Sequence, residues 1–356
     1  MTDKRREVED LRQEIAKLDV TLRTSLEKRA KLSRKIGELR KDVPSVVAVP
    51  DRHHIDRLME GATGDVPPAA LREIFREIIA TCFSLEQPVV VAYSGVEGAF
   101  VHAAARSRFG VAATFTPCET VASALDEITR NRASYAVVPY ETRTDGLMQS
   151  TIAALTASDL KIVVCFETVI SLQLASKAGS LAEIEKIYAT SKDHAHCEHF
   201  LAQELPGAQI VDVKTPMAAC QLAAADPRSA VLAHESIAAE HGLEVLRRNV
   251  RDEGEERVRY AIVGPRPSSR SGNDLTAIVF AVNDSPGALH EVLHQFAERG
   301  VNMTKIQSRP AQGEAWQYLF FIEVQGHATD RQLVGAIEEL RRHARFFKVL
   351  GSYQSS

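Results

Sequence analysis

The segment 4–41 constrains the fold more than any other part of the chain, because its apolar residues follow the period of one long helix. Charged residues fill the remaining faces of that helix. A helix of this length cannot bury an apolar stripe by itself, so we expect partner helices or a partner chain. The stripe, spaced mainly at steps of three and four residues, comprises Val8, Leu11, Ile15, Leu18, Leu22, Leu32, Ile36 and Leu39.

Helical character continues beyond this segment. A loop that contains two prolines follows it, residues 52–60 suit a short helix, and 68–86 suit a third helix with Pro68 near its start. The sequence therefore predicts an all-α first domain over 1–87, and the apolar stripe favours dimerisation of that domain.

The residue pattern changes at Pro88, where the run PVVVAYSG predicts a buried strand that ends in glycine. From there to about Gly264, helical stretches alternate with short apolar strands. Such alternation predicts an α/β domain over 88–265 with ligand loops at its strand ends. Further strands are expected at Tyr135–Val138, Ile162–Cys165, Ile210–Val213, Ala230–Ala233 and Arg259–Val263.

A third domain is predicted over 274–353, after the polar segment PRPSSRSGN, which indicates a linker. Its predicted elements follow the order βαββαβ, which is typical of a ferredoxin-like fold. They are a strand at 275–282, a helix at 287–299, strands at 302–309 and 317–323, a helix at 330–343 and a strand at 347–350.

Composition narrows the possible surroundings and partners. A net charge of −4 gives no basic field for nucleic acid, and no apolar run is long enough to span a bilayer. The first residues are charged and unlike a signal peptide. Five widely spaced cysteines without a CxxC pair suit reduced thiols. We therefore expect a cytoplasmic protein that binds neither nucleic acid nor membrane.

The segment DHAHCEHF contains three histidines and a cysteine, which raises the question of a metal site. On one helix, His196 and His199 would be neighbours, and so would His194 and Cys197. The two pairs would lie on different faces, and no second ligand cluster is evident. We favour a polar helix and expect no metal and no cofactor.

Two arginines of the first helix suit a small polyanion. Arg29 and Arg40 are eleven residues apart, so they share a face about 16 Å apart. The segments DLRQEIAKLD, EKRAKLSRKIGELR, VPDRHHIDRL and IFREIIATCFSLEQP resemble the all-α chorismate mutase family. That resemblance implies that arginines from two subunits grip chorismate, and that catalysis is positioning plus electrostatic preorganisation.

By this resemblance, catalytic groups of the mutase are Arg12, Arg29, Arg40, Asp51 and Glu86. Arg40 stands where the family usually has lysine. The chain departs further at His54, where the family has arginine, and at Ile55, where it has glutamate.

The middle of the chain resembles prephenate dehydratase. The matching segments are YSGVEGAFVHAAARSRFG, VVPYETRTDG, HGLEVLRRNVRDE and VRYAIVG. A glycine-rich loop that enters a helix presents backbone N–H groups to an anion. The resemblance implies catalytic roles for Glu141 and Arg259, and substrate contacts from Gly95, Gly98, Phe100, Thr142 and Arg143.

Hydroxyl groups of the family's cleft are replaced here. Ala99 and Val101 replace the family's Thr and Ser, and Thr142 and Arg143 replace its Asn and Ser. Val258 replaces the threonine that is held to help expel the hydroxyl of prephenate. Valine neither donates nor accepts a proton. A neighbour such as Thr142 or Ser94 is a candidate to replace the lost group. We also hypothesise that Arg143 and Lys192, the latter within the ATSK stretch that replaces a Ser-His-Pro-Gln-like run, make the cleft more cationic.

The third domain resembles the amino-acid-sensing ACT domain of phenylalanine-sensitive dehydratases. The resemblance rests on NDSPGALHEVLHQFAERGVNMTKIQSRP, WQYLFFIEVQGH and KVLGSY. It implies L-phenylalanine as effector, bound between subunits, with Gln307 where glutamate is usual. The implied effector residues are Gly287, Ala288, Leu289, His290, Gln307, Ser308, Arg309 and Pro310.

The predicted fold is thus multidomain, α + α/β + α+β: an all-helical mutase domain, a two-lobed α/β dehydratase-like domain and a βαββαβ ACT domain. Three functions remain open. The first is the conversion of chorismate to prephenate to phenylpyruvate with phenylalanine feedback. The second is an altered prephenate-processing enzyme, such as a decarboxylase. The third is a catalytically inactive amino-acid-binding regulator. A homodimer or homotetramer is expected in each case.

Overall fold

The computed structural model describes residues 2–40, 52–62, 64–143, 146–283, 285–310 and 318–355. The chain divides into two compact units. The first contains Met1–Val89 and Arg106–Thr114, and the second contains Val90–Ala105 and Phe115–Ser356. The predicted domain boundaries at 87/88 and 265/274 stay predictions.

The first unit is built on three helices, α1 (Thr2–Arg40), α2 (Arg52–Met59) and α3 (Pro68–Glu86). Pro68 occupies the first turn of α3, where its missing N–H costs nothing. Helix α1 packs against α3 so closely at Gly37 that a Cβ there would overlap the carbonyl oxygen of Glu86. Glycine at this position lets the two backbones approach.

The predicted apolar stripe of α1 is exposed along the helix. Leu18, Leu22 and Leu39 each expose more than 60% of their surface. The side of α1 that meets α3 carries Ser33 and Gly37 instead. The single chain therefore leaves uncovered the face that the sequence predicts to be buried.

The region 90–264, which belongs to the second unit apart from Arg106–Thr114, alternates strands and helices and builds two sheets. Its elements up to residue 264 are β1 (Val90–Ser94), α4 (Phe100–Phe109), β2 (Thr114–Cys118), α5 (Val121–Thr129), β3 (Tyr135–Thr142), β4 (Gly146–Leu147), α6 (Gln149–Ala157), β5 (Lys161–Ile170), β6 (Gln173–Ser176), β7 (Lys186–Ala189), α7 (Ser191–Ala195), α8 (Glu198–Glu204), β8 (Gln209–Asp212), α9 (Pro216–Ala225), β9 (Ser229–Ala233), α10 (Glu235–Glu240), β10 (Glu244–Arg247) and β11 (Glu256–Gly264). A 3₁₀ turn covers Leu181–Glu183.

The first sheet has the strand order β2-β1-β3-β11-β5, with β4 paired to β3. Strand β1 runs parallel to β3, and β11 runs antiparallel to both β3 and β5. The carboxyl ends of β1, β3 and β5 therefore meet the amino end of β11 at one edge of the sheet. The second sheet has the order β10-β6-β9-β7-β8.

The remaining elements are β12 (Asp274–Val282), α11 (Ala288–Glu298), β13 (Met303–Pro310), β14 (Tyr318–Gln325), α12 (Arg331–His343) and β15 (Ala344–Gln354). Their sheet has the order β13-β14-β12-β15. Ile278 and Phe280 of β12 pack in one core with α11 and α12. Ala277 and Val279 face the other way, into a core shared with the first sheet.

Strand β15 fastens this third sheet to the first. A Cβ on Gly351 would overlap the backbone of Ile162 in β5. The Lys161 ammonium donates to the carbonyl of Val349 at 2.7 Å. The Tyr353 ring lies in the shared core and its hydroxyl is 3.2 Å from that of Tyr140.

The predicted fold class is confirmed for all three parts: the helical region, the two-lobed α/β region and the βαββαβ region. The sequence did not predict β2, β6, β7 and β10, which are only four or five residues long. The histidine-containing segment forms two short helices, α7 and α8, that break at Cys197, so the single helix expected there is wrong. Within the described ranges, no helix combines the length and apolarity that a membrane crossing requires.

Candidate functional site

Two polar contacts join α1 to α3 in the helical unit. The guanidinium of Arg29 donates to the carbonyl of Ile78 at 3.1 Å. One turn later, the buried Ser33 hydroxyl donates to the Glu86 carboxylate at 3.4 Å. Arg29, Ser33 and Glu86 thus form a small polar cluster. Ser33 was not predicted as a site residue, although its spacing of four residues from Arg29 indicates a shared helix face.

The other predicted mutase groups do not join this cluster within the chain. Arg12 is exposed and lies 3.9 Å from Glu9 on its own helix. It is seventeen residues before Arg29, which is about 25 Å along a helix. Ile55 is half-buried. Asp51 and the side chains of Arg40 and His54 lie outside the described residues.

Hydrogen bonds to other residues of the chain fix the glycine-rich loop between β1 and α4. The Gly95 amide donates to the Cys118 carbonyl at 2.8 Å, and the Gly98 amide donates to Nδ1 of His102 at 3.1 Å. The His102 ring is buried and stacks on Tyr93 at 4.9 Å. Burial raises the pKa of Tyr93 to about 12. These two amides are satisfied internally, so an anion at the loop would meet the amides of the first turn of α4.

The same loop reaches the second sheet and its helices. Gly98 has a φ of 86°, and a Cβ there would lie 2.8 Å from the amide nitrogen of Met217 in α9. The Phe100 ring meets His234 edge to face at 6.0 Å. The loop after β1 and the loop after β9 therefore line a common cleft between the two sheets. His234 follows β9 directly, and side chains at strand ends are well placed to contact a ligand. His234 was not predicted as a site residue.

The pairing of β11 with β3 divides the predicted cleft residues between the two faces of the first sheet. Val258 is in register with Thr142 on β3, and Arg259 is in register with Glu141. Successive side chains of a strand point to opposite faces. Arg259 and Glu141 therefore share one face, and Val258 and Thr142 share the other.

Arg259 is engaged by two carboxylates. Its guanidinium donates to Glu141 at 2.9 Å and to Glu323 of β14 at 3.2 Å. Lys305 of β13 also pairs with Glu141, and the hydroxyl of Tyr353 donates to Glu323. Burial lowers the pKa of Arg259, but nearby groups led by Cys165 and Glu323 outweigh it, and the pKa is raised overall. Arg259 and Glu141 were predicted to lie in the catalytic cleft, whereas in the structure both contact residues of the third sheet.

The remaining predicted cleft positions differ in exposure. Val101 and Val258 are buried, and Ala99 is half-buried. Arg143 and Lys192 are exposed. Within the described residues, the structure shows no hydrogen bond or ion pair between either side chain and the cleft, so their effect on its charge stays a hypothesis.

The predicted effector residues lie on α11 and β13. Gly287 precedes α11 in the left-handed region, with a φ of 85°. Ala288 and Leu289 follow, half-buried, and His290 is exposed and stacks on His294 at 5.8 Å.

Strand β13 alternates between two environments. Ser308 and Pro310 are exposed, whereas Gln307 and Arg309 are half-buried. Arg309 donates to the carbonyl of Leu147 in β4 at 2.9 Å. A Cβ on Gly146 would lie 3.7 Å from the amide group of Gln307. The predicted effector motif therefore contacts β4 of the dehydratase-like sheet, a contact that sequence spacing does not reveal.

The histidine-containing segment has partners within the protein. His196 lies 3.4 Å from the carboxylate of Glu253, and His199 bonds Gln203 at 2.9 Å. Burial raises the pKa of the Cys197 thiol to about 12, which opposes a thiolate ligand. Among the residues that the structure describes, no group of three or more metal-binding side chains converges.

Three family models match the chain in order: chorismate mutase type II over 11–87, prephenate dehydratase over 91–268, and the ACT domain over 276–342. The bifunctional chorismate mutase/prephenate dehydratase of Aquifex aeolicus is 37% identical over 98% of both chains. The chain belongs to this bifunctional family. A bifunctional chorismate mutase/prephenate dehydratase from Neisseria gonorrhoeae is 30% identical over 97% of this chain and 96% of its own.

Among solved structures, a prephenate dehydratase from Arthrobacter aurescens in complex with L-Phe is 33% identical. It covers 75% of this chain and 90% of its own, with a TM-score of 0.63. The match supports the fold of the dehydratase and ACT parts of this family member.

Proposed function

We propose that the protein converts chorismate to prephenate and prephenate to phenylpyruvate, and that phenylalanine inhibits it through the ACT domain. The observation that carries the proposal is the match of three family models, in order, over a chain that aligns almost end to end with a bifunctional relative. A shared fold alone is weak support for a shared chemistry. The same three specialised domains in the same order are stronger support.

For the mutase step, Arg29 is proposed to hold a carboxylate of chorismate beside Ser33 and Glu86. The rearrangement is unimolecular, so the site needs only to hold the reactive conformer and stabilise charge on the breaking ether oxygen. Arg12 is about 25 Å along α1 from Arg29 and is exposed. We propose that it serves the site of a second subunit, together with Arg40 and Asp51.

The second subunit is expected to cover the stripe of α1. Isolated exposed leucines are ordinary, but a contiguous apolar row along a helix of 39 residues marks an interface. An antiparallel copy of α1 would bury this row on both chains and bring the Arg12 of each near the Arg29 of the other. A homodimer therefore completes the proposed mutase site.

For the dehydratase step, the proposed site is the cleft lined by the loop at Gly95–Phe100, by α9 and by His234. Prephenate carries two carboxylates, and the first turns of α4 and α9 direct backbone N–H groups and positive dipole ends towards this cleft. The Phe100 ring provides an apolar wall for the substrate's ring. Thr142 lies at the neighbouring sheet edge.

For feedback, phenylalanine is proposed to bind at the amino end of α11, with Gly287 facing its carboxylate, and at Ser308 on the exposed side of β13. The other side of β13 carries Gln307 and Arg309, which contact β4. A ligand that shifts β13 would therefore act directly on the strand next to Thr142. This route is proposed to carry the inhibitory signal.

A paired assay tests the proposed function. Purified protein is given chorismate or prephenate, products are identified by mass spectrometry, and phenylalanine binding is measured by calorimetry. Phenylpyruvate at enzyme-like turnover supports the proposal. A different product from prephenate would identify an altered enzyme, and phenylalanine binding without turnover of either substrate would identify a regulator.

A further inference from the structure

The position of Val258 lies between two threonines in the first sheet. Val258 of β11 is in register with Thr142 of β3 on one side and with Thr168 of β5 on the other. Residues directly opposite each other on antiparallel strands have Cβ atoms about 5 Å apart. Thr142, Val258 and Thr168 therefore form a row across three adjacent strands. Sequence motifs do not point to Thr168, because its neighbours in space come from distant segments.

This row lies on the face of the sheet that carries the glycine-rich loop and α4. Tyr260 of β11 and Phe166 of β5 are in register, and their rings are 5.9 Å apart on one face. Val258 and Thr168 are each two residues further along, so they share that face. Tyr93 of β1 stacks on His102 of α4. Tyr93 shares the row's face because it is in register with Val137, which is in turn in register with Ile262 of β11.

The row also lies at the edge of the sheet where a ligand would bind. Thr142 is the last residue of β3, and Thr168 is near the carboxyl end of β5. Carboxyl ends of parallel strands are the usual location of ligands in open α/β sheets. The row therefore borders the cleft between the two sheets.

Loss of water from prephenate needs a hydrogen-bond donor. The electrons of the bond between the ring and its carboxylate shift into the ring and release carbon dioxide. The ring carbon–oxygen bond opposite breaks, and the departing hydroxyl takes up one proton to leave as water. Valine at 258 has no proton to give. Another donor near this place is therefore needed to stabilise the departing oxygen, and a hydroxyl on an adjacent strand is suitably placed.

We infer that the hydroxyl of Thr168 supplies this proton or hydrogen bond to the departing hydroxyl, in the place of the group absent at Val258. The inference rests on the proposed dehydratase function. The proton that Thr168 passes on is replaced from solvent, so the overall step consumes one proton and yields phenylpyruvate, carbon dioxide and water. Because the new donor comes from β5 and not β11, it reaches the substrate from the adjacent strand.

The structure distinguishes Thr168 from the other nearby hydroxyls. Thr168 is half-buried, and its hydroxyl makes no hydrogen bond within the described part of the chain. Thr142 already has an interaction in the protein. Ser94 follows Tyr93 on β1, and strand alternation turns it to the opposite face. Thr168 is therefore the hydroxyl of the row that remains available to a substrate.

The test measures phenylpyruvate formation from prephenate by the full-length protein and its variants. Thr168→Val removes the hydroxyl with little change in shape, and kcat is expected to fall by about 10²-fold with KM nearly unchanged. Thr168→Ser keeps a hydroxyl and is expected to retain most of kcat. Adding Val258→Thr to Thr168→Val is expected to restore turnover, because a donor returns one strand away.

The control is Thr129→Val on α5, where a threonine hydroxyl bonds the Leu125 carbonyl away from the cleft. It is expected to keep wild-type kcat. Phenylalanine binding and thermal unfolding of each variant show whether the fold is intact.

The outcomes separate the two proposals. If the wild-type protein makes phenylpyruvate and Thr168→Val keeps its full kcat, the role of Thr168 is overturned and the dehydratase function stands. If the wild-type protein makes no phenylpyruvate, both proposals are overturned. A loss of kcat in Thr168→Val that Val258→Thr reverses supports the inference, because a merely structural role for Thr168 would not be repaired from the neighbouring strand.

Discussion

The helical unit and the α/β unit place their candidate catalytic groups in different ways. In α1, Arg12 and Arg29 lie about 25 Å apart along one helix, and the apolar stripe between them faces outwards. In the first sheet, adjacent strands place Val258 about 5 Å from Thr142 on one side and from Thr168 on the other. A single long helix cannot bring distant residues together, whereas a sheet does so within one chain. We therefore propose that the mutase site requires a second copy of the chain, whereas the dehydratase cleft forms within one chain.

The largest expected effect comes from disrupting the proposed dimer interface of α1. Leu18→Glu combined with Leu22→Glu places charges in the stripe of α1. Because each leucine buried at an interface contributes about 2 kcal/mol, we expect the dimer dissociation constant to rise by at least about 10³-fold. Sedimentation velocity checks the mass. Mutase activity should fall with the dimer, while phenylpyruvate formation persists.

The matched control is Val20→Glu, which changes an exposed apolar residue on the opposite side of the same helix. It should leave the mass unchanged. If the double variant keeps the same mass as the Val20→Glu control and the wild-type protein, the stripe is not the interface.

A second prediction concerns the polar cluster between α1 and α3. Arg29→Ala removes the charge proposed to hold a carboxylate of chorismate, and the mutase kcat/KM should fall by about 10²- to 10³-fold. The dehydratase kcat should stay within about twofold, because Arg29 belongs to the other unit. Arg23→Ala, which removes an exposed guanidinium near Glu27, serves as control. Equal losses in both activities would indicate unfolding and not a mutase role.

A third prediction tests the attachment of the third sheet to the first. Glu323 is only 4% exposed and pairs with the half-buried Arg259, so Glu323→Gln leaves that guanidinium with one carboxylate. Removing one partner of a buried pair costs about 3 kcal/mol, and urea unfolding should show that loss. The control Glu167→Gln breaks an exposed pair with Arg257 and should cost at most about 1 kcal/mol. Similar losses of unfolding free energy in the two variants would mean that the cluster around Glu323 stabilises the fold no more than an exposed ion pair does.

The smallest effect concerns pH and His234. Burial lowers the pKa of this histidine below its ordinary value of 6.5, although Glu235 opposes the shift. As pH falls below 6.5, the unfolded chain binds a proton that the folded chain binds less readily, so stability is lost towards acid. His234→Gln removes this titrating group, so it should reduce the loss of stability towards acid. Urea unfolding at pH 7.5 and 5.5 checks it; an unchanged acid slope would contradict the assignment.

Regular periods made most elements predictable. Helix α3 has the predicted bounds 68–86, and α1 differs from its predicted bounds by two residues or fewer. Strands β6, β7 and β10 were missed because four residues hold too few positions to show a period. Their place in the second sheet comes from pairing with distant strands.

The sites were only partly predictable for a related reason. Motifs assigned Val258 and Arg259 to the predicted cleft, but adjacent residues on a strand point to opposite faces. Which face belongs to the cleft depends on β3 and β5, and these are distant in sequence. Glu323 and Thr168 were missed for the same reason: their partners are set by strand register and not by local spacing.

The attachment of β15 to β5 has a consequence for how the protein is made. The core around Ala136 and Ala261 stays open to water until Tyr353 arrives, because that side chain fills part of it. On the ribosome, the dehydratase layer is therefore left unfinished for the whole time that the sensing domain is being translated. Deletion of the third domain is therefore expected to expose this core to water and to destabilise the first sheet. We therefore expect variants that escape the proposed feedback to carry substitutions at the effector site and to keep β15 in place.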